Sequence, residues 1–320
     1  MRYLSGIQPS GTLHLGNYFG AMRRHIERQE GNECFYFIAD YHALTTIRNP
    51  EEMRKNVVDV ALDYLAIGLD PEKAVFFRQS DVPQVVELAW VLSTLAPMGL
   101  LSRCHSFKDK VAKNVEASLG LFAYPVLMAA DILIYDSEKV PVGKDQKQHL
   151  EVTRDIAQTF NRVYGKSLVV PEEEIESATA VVPGVDGQKM SKSYGNTIEM
   201  FASEKQLKKS TGRIVTDSKG VEEPKDPVGN TVYELYSLMA SAEERAEMER
   251  RFRAGGFGYG DAKATLREKI LEYFAPYRER REALARDSDK VFDILRDGAE
   301  RARLVAGKTL ERVYERVGLR

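Results

Sequence analysis

The chain has 320 residues, 43% of them hydrophobic and 29% charged, and a net charge of −2. That is ordinary for a soluble globular protein of two domains or one large one, and it excludes a protein defined by bulk positive charge, so any nucleic-acid contact must be a local patch. The two cysteines, Cys34 and Cys104, lack metal spacing and suit a reduced compartment. With no signal-like apolar start and no membrane-length apolar run, the expected location is cytoplasmic.

Arg2-Tyr3-Leu4 reads as the first strand and runs into the loop Ser5 to Asn17. Beyond it, Leu15, Phe19, Met22 and Ile26 recur at helical spacing. A strand, a Gly/Pro/Ser loop and a helix in that order present backbone N–H groups and a positive dipole end to a phosphate. The loop's glycines let a flat ligand lie close to the backbone, and His14 adds a donor near the first turn. Taken alone, the stretch also reads as an ordinary turn carrying a histidine.

Cys34 to Ala39 is a continuous apolar run, as in a buried parallel strand, and it ends in Asp40-Tyr41-His42, where open α/β sheets bind ligands. Asn49-Pro50-Glu51-Glu52 opens a helix that runs to about Gly68, Ala74 to Gln79 is the next strand, and Val85 to Leu95 another helix. The basic segment Ser106 to Lys113 is either a solvated turn or a contact for phosphate or for a nucleic-acid end. Pro125 suits the first position of a helix on which Tyr124, Met128 and Asp131 share one face. An aromatic, a thioether and a carboxylate together suit a pocket for an aromatic ligand with one hydrogen-bond donor, or else a core helix whose aspartate caps a neighbour.

Val140 to Gln146 is a short strand and glycine turn into a helix carrying His149, which reads as structural, and the alternation of strand and helix closes near Leu168-Val169-Val170. The fold class is therefore α/β, a doubly wound parallel sheet, followed by an all-α second domain. Lys189-Met190-Ser191-Lys192-Ser193, after a Pro/Gly segment, is a cationic loop suited to polyphosphate. After it the texture turns helical, with capping boxes at Ser203 and Ser241 and basic faces such as Arg245, Arg250, Arg251 and Arg253. Gly255 to Gly260 follows no strand and reads as a turn between helices. From Ser288, Val291, Leu295, Ala299, Ala302, Ala306, Leu310, Val313 and Val317 form one apolar stripe. The expected units are a catalytic domain at 1–194, a helical domain at 195–287, and a final helix at 288–320 that packs back on the first.

His14-Leu15-Gly16-Asn17 and Lys189 to Ser193 resemble the two signatures of class I aminoacyl-tRNA synthetases. With Gly6 to Gly11, Tyr124-Pro125, Met128 to Asp131, Val140 to Gly143 and Asp145-Gln146, nearly the whole chain resembles the bacterial tryptophanyl-tRNA synthetases. That resemblance implies a homodimer that uses ATP and Mg²⁺ to make tryptophanyl-adenylate and then charges its tRNA through a helical anticodon-binding domain. It also implies an ATP site of Gln8, Pro9, Ser10, Gly16, Asn17, Gly143, Lys144, Asp145, Val182, Lys189, Met190, Ser191, Lys192 and Ser193, with Lys189, Lys192, Gln8 and His14 catalytic and Mg²⁺ held by the phosphates. The tryptophan site it implies is Leu4, Gln8, Asp40, His42, Tyr124, Met128, Asp131, Val140, Val142 and Gln146. Two positions depart from the family's pattern: Lys144 stands where an acid is common, and Leu4 where some members have Phe.

Activation is attack of a carboxylate on the α-phosphorus of ATP, so positioning and charge stabilisation suffice and no side-chain nucleophile is needed. Gln8, His14, Gly16 and Asn17 would hold ATP from one side and the two lysines from the other, with Asp145 on a ribose hydroxyl. Indole offers one N–H, for which Asp131 is the natural acceptor, while Tyr124, Met128, Val140 and Val142 supply apolar walls. Gln146 or Tyr124 would hold the substrate's ammonium or carboxylate. The rivals are a tyrosyl-tRNA synthetase, disfavoured by Met128; a nucleotidyltransferase, disfavoured by the helical region; and a non-catalytic tRNA-binding paralogue, disfavoured by the intact lysine loop.

Overall fold

Arg2–Ile7 forms β1, the central strand of a five-stranded parallel sheet. In the computed structural model, which describes residues 1–104, 118–143, 147–175 and 181–320, the strand order is β3-β2-β1-β4-β5. The others are β2 (Glu33–Ile38), β3 (Ala74–Arg78), β4 (Lys139–Val142) and β5 (Glu172–Ile175). The order reverses direction at β1, so β1 and β4 part at the point where a doubly wound sheet opens a crevice. Register places Gly6 beside Phe37 and Tyr3 beside Cys34 on one side and beside Lys139 on the other.

The run Cys34 to Ala39 is apolar throughout because both faces of β2 are covered. Cys34, Tyr36 and Ile38 enter one apolar cluster, and Phe35, Phe37 and Ala39 the other. A short helix α1 (Arg23–Arg28) follows the first loop. Next, α2 (Pro50–Ala66) covers the first face with Val57, Val60 and Ala61; Asn49 caps it, accepting from the N–H groups of Glu51 and Glu52. The second face is covered by α3 (Gln84–Ser93), α4 (Leu119–Leu133) and α5 (Lys147–Tyr164). Burying each phenylalanine of this sandwich contributes about 1.5–3 kcal/mol.

Two elements differ from the sequence reading. The fifth strand is Glu172–Ile175, not the apolar run at 168–170, because β5 lies at the sheet edge beside β4, where a strand need not be apolar. The fourth helix begins at Leu119, not at Pro125. Ser118 is the cap, its side chain accepting from the Leu121 N–H, and Pro125 sits inside, where it donates no bond to the carbonyl four residues back and its ring crowds that carbonyl.

Beyond residue 200 come the helices α6 (Glu204–Gly212), α7 (Thr231–Ser237), α8 (Ala242–Ala254), α9 (Tyr259–Ala285) and α10 (Ser288–Val317). Both capping boxes form: Ser203 with Gln206 starts α6 and Ser241 with Glu244 starts α8. Gly255 and Gly256 turn the chain between α8 and α9, as expected. The Arg250 and Arg253 guanidiniums pair with Glu247 and Glu249, and Arg251 lies over the Phe257 ring, so these three arginines already have partners. Leu266, Ile270 and Phe274 of α9 share one apolar cluster with Leu15, Tyr18 and Met22. Arg281 ties α9 to α2 through Asp63 at 2.6 Å and Asp59 at 2.7 Å. The stripe of α10 is buried from Val291 to Val313 and lies against β3, so close that a Cβ on Gly298 would stand 1.9 Å from the Phe76 carbonyl oxygen.

Candidate functional site

A cavity of about 550 Å³ opens at the carboxyl ends of β1, β2 and β4. Leu4, Ser5, Gly6 and Gln8 line it from β1 and the loop beyond, and Val140 and Pro141 from β4. Gly6 is required here, since a Cβ would stand 2.4 Å from the Phe37 ring that forms part of the floor. One face of α4 supplies the wall, and the spacing read from sequence places Tyr124, Met128 and Asp131 on it together.

Asp131 is 2% exposed and already engaged. Its Oδ2 accepts from His42 Nε2 at 2.7 Å, and Gln79 Nε2 donates to both oxygens, at 2.7 and 2.9 Å. Burial raises the carboxyl above the usual carboxylate range, against the opposing pull of the His42 and Gln79 hydrogen bonds. The Gln79 amide has one sensible orientation, because its Oε1 accepts the Tyr41 backbone N–H at 3.1 Å. Gln79 is 1% exposed and escaped the sequence reading; its only signal was a polar residue at the end of a buried strand.

Asp40 does not line the cavity, contrary to expectation. It accepts from Ser80 through both the backbone N–H, at 3.0 Å, and the hydroxyl, and so anchors the turn Gln79–Asp81 that presents Gln79. His42 does line the cavity, with the Tyr124 ring edge-on to its imidazole at 6.0 Å. The Tyr124 hydroxyl is hydrogen-bonded to His149 Nε2, which gives that buried histidine the structural role its position suggested. Gly143 is exposed just beyond β4. Lys144, Asp145, Gln146 and the basic segment 106–113 lie outside the described residues, as does the side chain of Val142.

The glycine loop and the lysine loop meet. Gly16 N–H points at Met190 Sδ, 3.3 Å away, and Lys192 Nζ donates to the Gly11 carbonyl at 2.7 Å. Leu15 N–H donates to Ile198, and Asn17 N–H to the His14 carbonyl. The backbone donors expected to be open to a phosphate are therefore engaged here, because the chain around 190–200 packs onto the loop. A thioether is a weak acceptor, so Gly16 N–H is the donor most easily released. The helix expected after the loop forms, running from Leu15 to Arg28, with a π-helical turn inside it at Tyr18–Met22, a form that recurs at functional sites.

His14 is buried, and burial, reinforced by Lys192, lowers its imidazole to about 4, so it is neutral at physiological pH. Burial also lowers the Lys192 ammonium to about 8, against the opposing pull of Asp63 and Glu199. Lys189 is exposed, the Ser191 and Ser193 hydroxyls bond each other at 2.9 Å, and Val182 is buried under Met190, whose N–H it accepts at 2.8 Å. Pro9 is buried and Ser10 exposed in the first loop. Asn196, also absent from the sequence reading, is 1% exposed beside the lysine loop.

Known proteins resemble this chain over nearly its whole length. The family described as "tRNA synthetases class I (W and Y)" matches residues 1–275. A tryptophan–tRNA ligase of Rhodopirellula baltica is 56% identical over 320 residues, covering all of both chains. One of Fusobacterium nucleatum is 54% identical over 99% of this chain and 98% of its own. A crystal structure of the Campylobacter jejuni tryptophanyl-tRNA synthetase complexed with ADP and tryptophan superposes with a TM-score of 0.95, at 47% identity, over 99% of this chain and 100% of that one.

Proposed function

The chain belongs to the class I tRNA synthetases of the tryptophan and tyrosine family, and we propose that its cavity selects L-tryptophan while its lysine loop drives the attack on ATP. The activity is that of a tryptophan–tRNA ligase. The observation that carries the assignment of roles is the meeting of the two signature loops, Met190 on Gly16 and Lys192 on Gly11, beside a cavity that ends in a buried aspartate.

The indole would lie between Leu4, Met128 and Val140 and donate its N–H to Asp131. A carboxylate oxygen accepts about two hydrogen bonds, so Asp131 Oδ1, which takes one from Gln79, has room for another. Phenylalanine, which lacks the donor, would leave that room empty in a buried site. A tyrosine would bring a phenol beside Met128, which offers it only a weak acceptor.

In the chemical step a substrate carboxylate oxygen bonds to the α-phosphorus as the bond to the β-phosphate bridge breaks, and pyrophosphate leaves. Gln8, Pro9, Ser10, Gly16 and Asn17 are proposed to seat ATP, and Lys189 and Lys192 to neutralise charge that builds on the departing phosphates. Neutral His14 suits hydrogen bonding to a phosphate oxygen. Magnesium would arrive on the phosphates and balance their charge; among the described residues no three metal-ligating side chains gather.

Transfer of the activated tryptophan to tRNA is proposed to use residues 195–287 for the anticodon, with 1–194 as the catalytic unit and 288–320 as its last helix. The enzyme is proposed to be a cytoplasmic homodimer. Support for a dimer comes from Val86 and Trp90, one turn apart on the outer face of α3 and both exposed, Trp90 at 74%. Among the described residues no helix is long and apolar enough to cross a membrane. Pyrophosphate exchange with tryptophan, tyrosine and phenylalanine in turn tests the reading: exchange with tryptophan alone is expected, and equal exchange with tyrosine would contradict it.

A further inference from the structure

The lysine loop is carried on a hairpin. Met190 N–H donates to the Val182 carbonyl, Gly184 N–H to that of Gln188, and Pro183 faces Lys189 across the pair. The chain then passes through the loop and returns at Asn196, whose side chain binds three separate parts of it. Oδ1 accepts the Ser191 N–H at 2.8 Å, while Nδ2 donates to Asp186 Oδ1 at 2.8 Å and to the Lys189 carbonyl at 3.1 Å. Its own carbonyl accepts the Val185 N–H at 2.9 Å. The hairpin lies so close that a Cβ on Gly184 would stand 2.3 Å from Asn196 Cγ. The amide hydrogen bond also keeps the Asp186 carboxyl below the usual carboxylate range.

We infer that Asn196 is a positioning residue for adenylate formation: its amide locks the hairpin turn, the Lys189 carbonyl and the Ser191 N–H into one unit, so that Lys189 and Lys192 reach the phosphates together and in fixed register. The inference rests on the reading that these two lysines face the ATP phosphates. Two ammonium groups on a slack loop would sample many placements, and a misplacement of about 1 Å at a reacting group costs roughly 10²-fold in rate. No other amino acid of this size offers both an acceptor and two donors at one planar end except glutamine, whose extra methylene has no room beside Gly184.

Asn196→Asp keeps the acceptor for Ser191 N–H but turns the donor into an acceptor facing Asp186 and the Lys189 carbonyl. Asp186→Asn in the same chain restores a donor, because the amide introduced at 186 can donate to the carboxylate introduced at 196. Rapid-quench measurement of adenylate formation should show Asn196→Asp slowed about 10²-fold, with the KM for tryptophan unchanged. Transfer from preformed adenylate to tRNA should proceed at the parent rate, and the double variant should recover at least half of the lost logarithm. Parent-like adenylate formation in both Asn196→Asp and Asn196→Ala overturns the inference. So does an equal loss of tryptophan affinity, adenylate formation and transfer that the double variant does not relieve, since that marks general damage to the fold. Lys192→Ala, run alongside, separates the two levels: a slow Lys192 variant with a fast Asn196 variant sinks the inference alone, whereas a fast Lys192 variant sinks the reading on which it stands.

Discussion

The two sides of the site are held in opposite ways. Around Asp131 the carboxylate is fixed by His42 from beyond β2 and by Gln79 from beyond β3, and Gln79 is itself fixed by Tyr41, within a turn anchored by Asp40 on Ser80. Every one of these groups sits at the end of a buried strand or on α4, so the acceptor is aimed before any ligand arrives. The lysine loop instead stands on a hairpin with positive-φ glycines at 187 and 195, and it touches the first loop through the Met190 thioether and the Lys192 ammonium. In the proposed function, selection belongs to the rigid sheet, and charge stabilisation to a segment that would exchange Gly11 and Gly16 for phosphates. A rigid reader sets ground-state recognition; cations that engage only as charge develops set the rate.

Breaking the rigid side has the largest expected effect. Asp131→Ala should erase most of the preference for tryptophan over phenylalanine, roughly 10⁴-fold in a site built around a substrate N–H, as read by pyrophosphate exchange with both amino acids. Breaking the movable side comes next. Lys192→Ala should slow adenylate formation by about 10²–10³, with Lys192→Arg recovering only part because a planar fork does not reproduce a compact ammonium. Gln79→Leu removes the brace around Asp131 and leaves the carboxylate in place. Losing a hydrogen bond to a charged acceptor costs about 1.5–3 kcal/mol, so the KM for tryptophan should rise roughly 10- to 100-fold, while the adenylate rate at saturating tryptophan changes little.

The smallest effect is a pH limb. The Lys192 ammonium, lowered to about 8 by burial, carries its charge below that pH and loses it above. The value of kcat/KM for ATP reports the free enzyme, so it should fall as pH rises through about 8. Lys192→Arg should remove the limb, because a guanidinium stays protonated there. A limb that persists in the arginine variant would assign the titration to another group.

What could be read from the chain follows from the range of the interactions involved. The α4 face of Tyr124, Met128 and Asp131 was legible because helical spacing alone brings those residues together, and the two loops because their motifs are local. Gln79 was not, because its partner Asp131 lies 52 positions away and only the sheet brings the two strand ends together. Asp40 was placed at the right strand end but not in the cavity, because a nearer donor, Ser80, takes its carboxylate. The fifth strand was misplaced for a related reason: at the sheet edge Glu172, Glu173 and Glu174 form the strand, while the apolar Leu168 packs before it. Asn196 is polar and lies just past a motif, and nothing in its neighbours' spacing signals that the chain folds back on it.

In the proposed function, tryptophan is selected without help from the lysine loop. Equilibrium dialysis of tryptophan against the parent enzyme and Lys192→Ala, without ATP, tests it most directly. Equal dissociation constants are expected; a tenfold weaker affinity in the variant would place the loop in ground-state recognition and overturn the proposed division of roles.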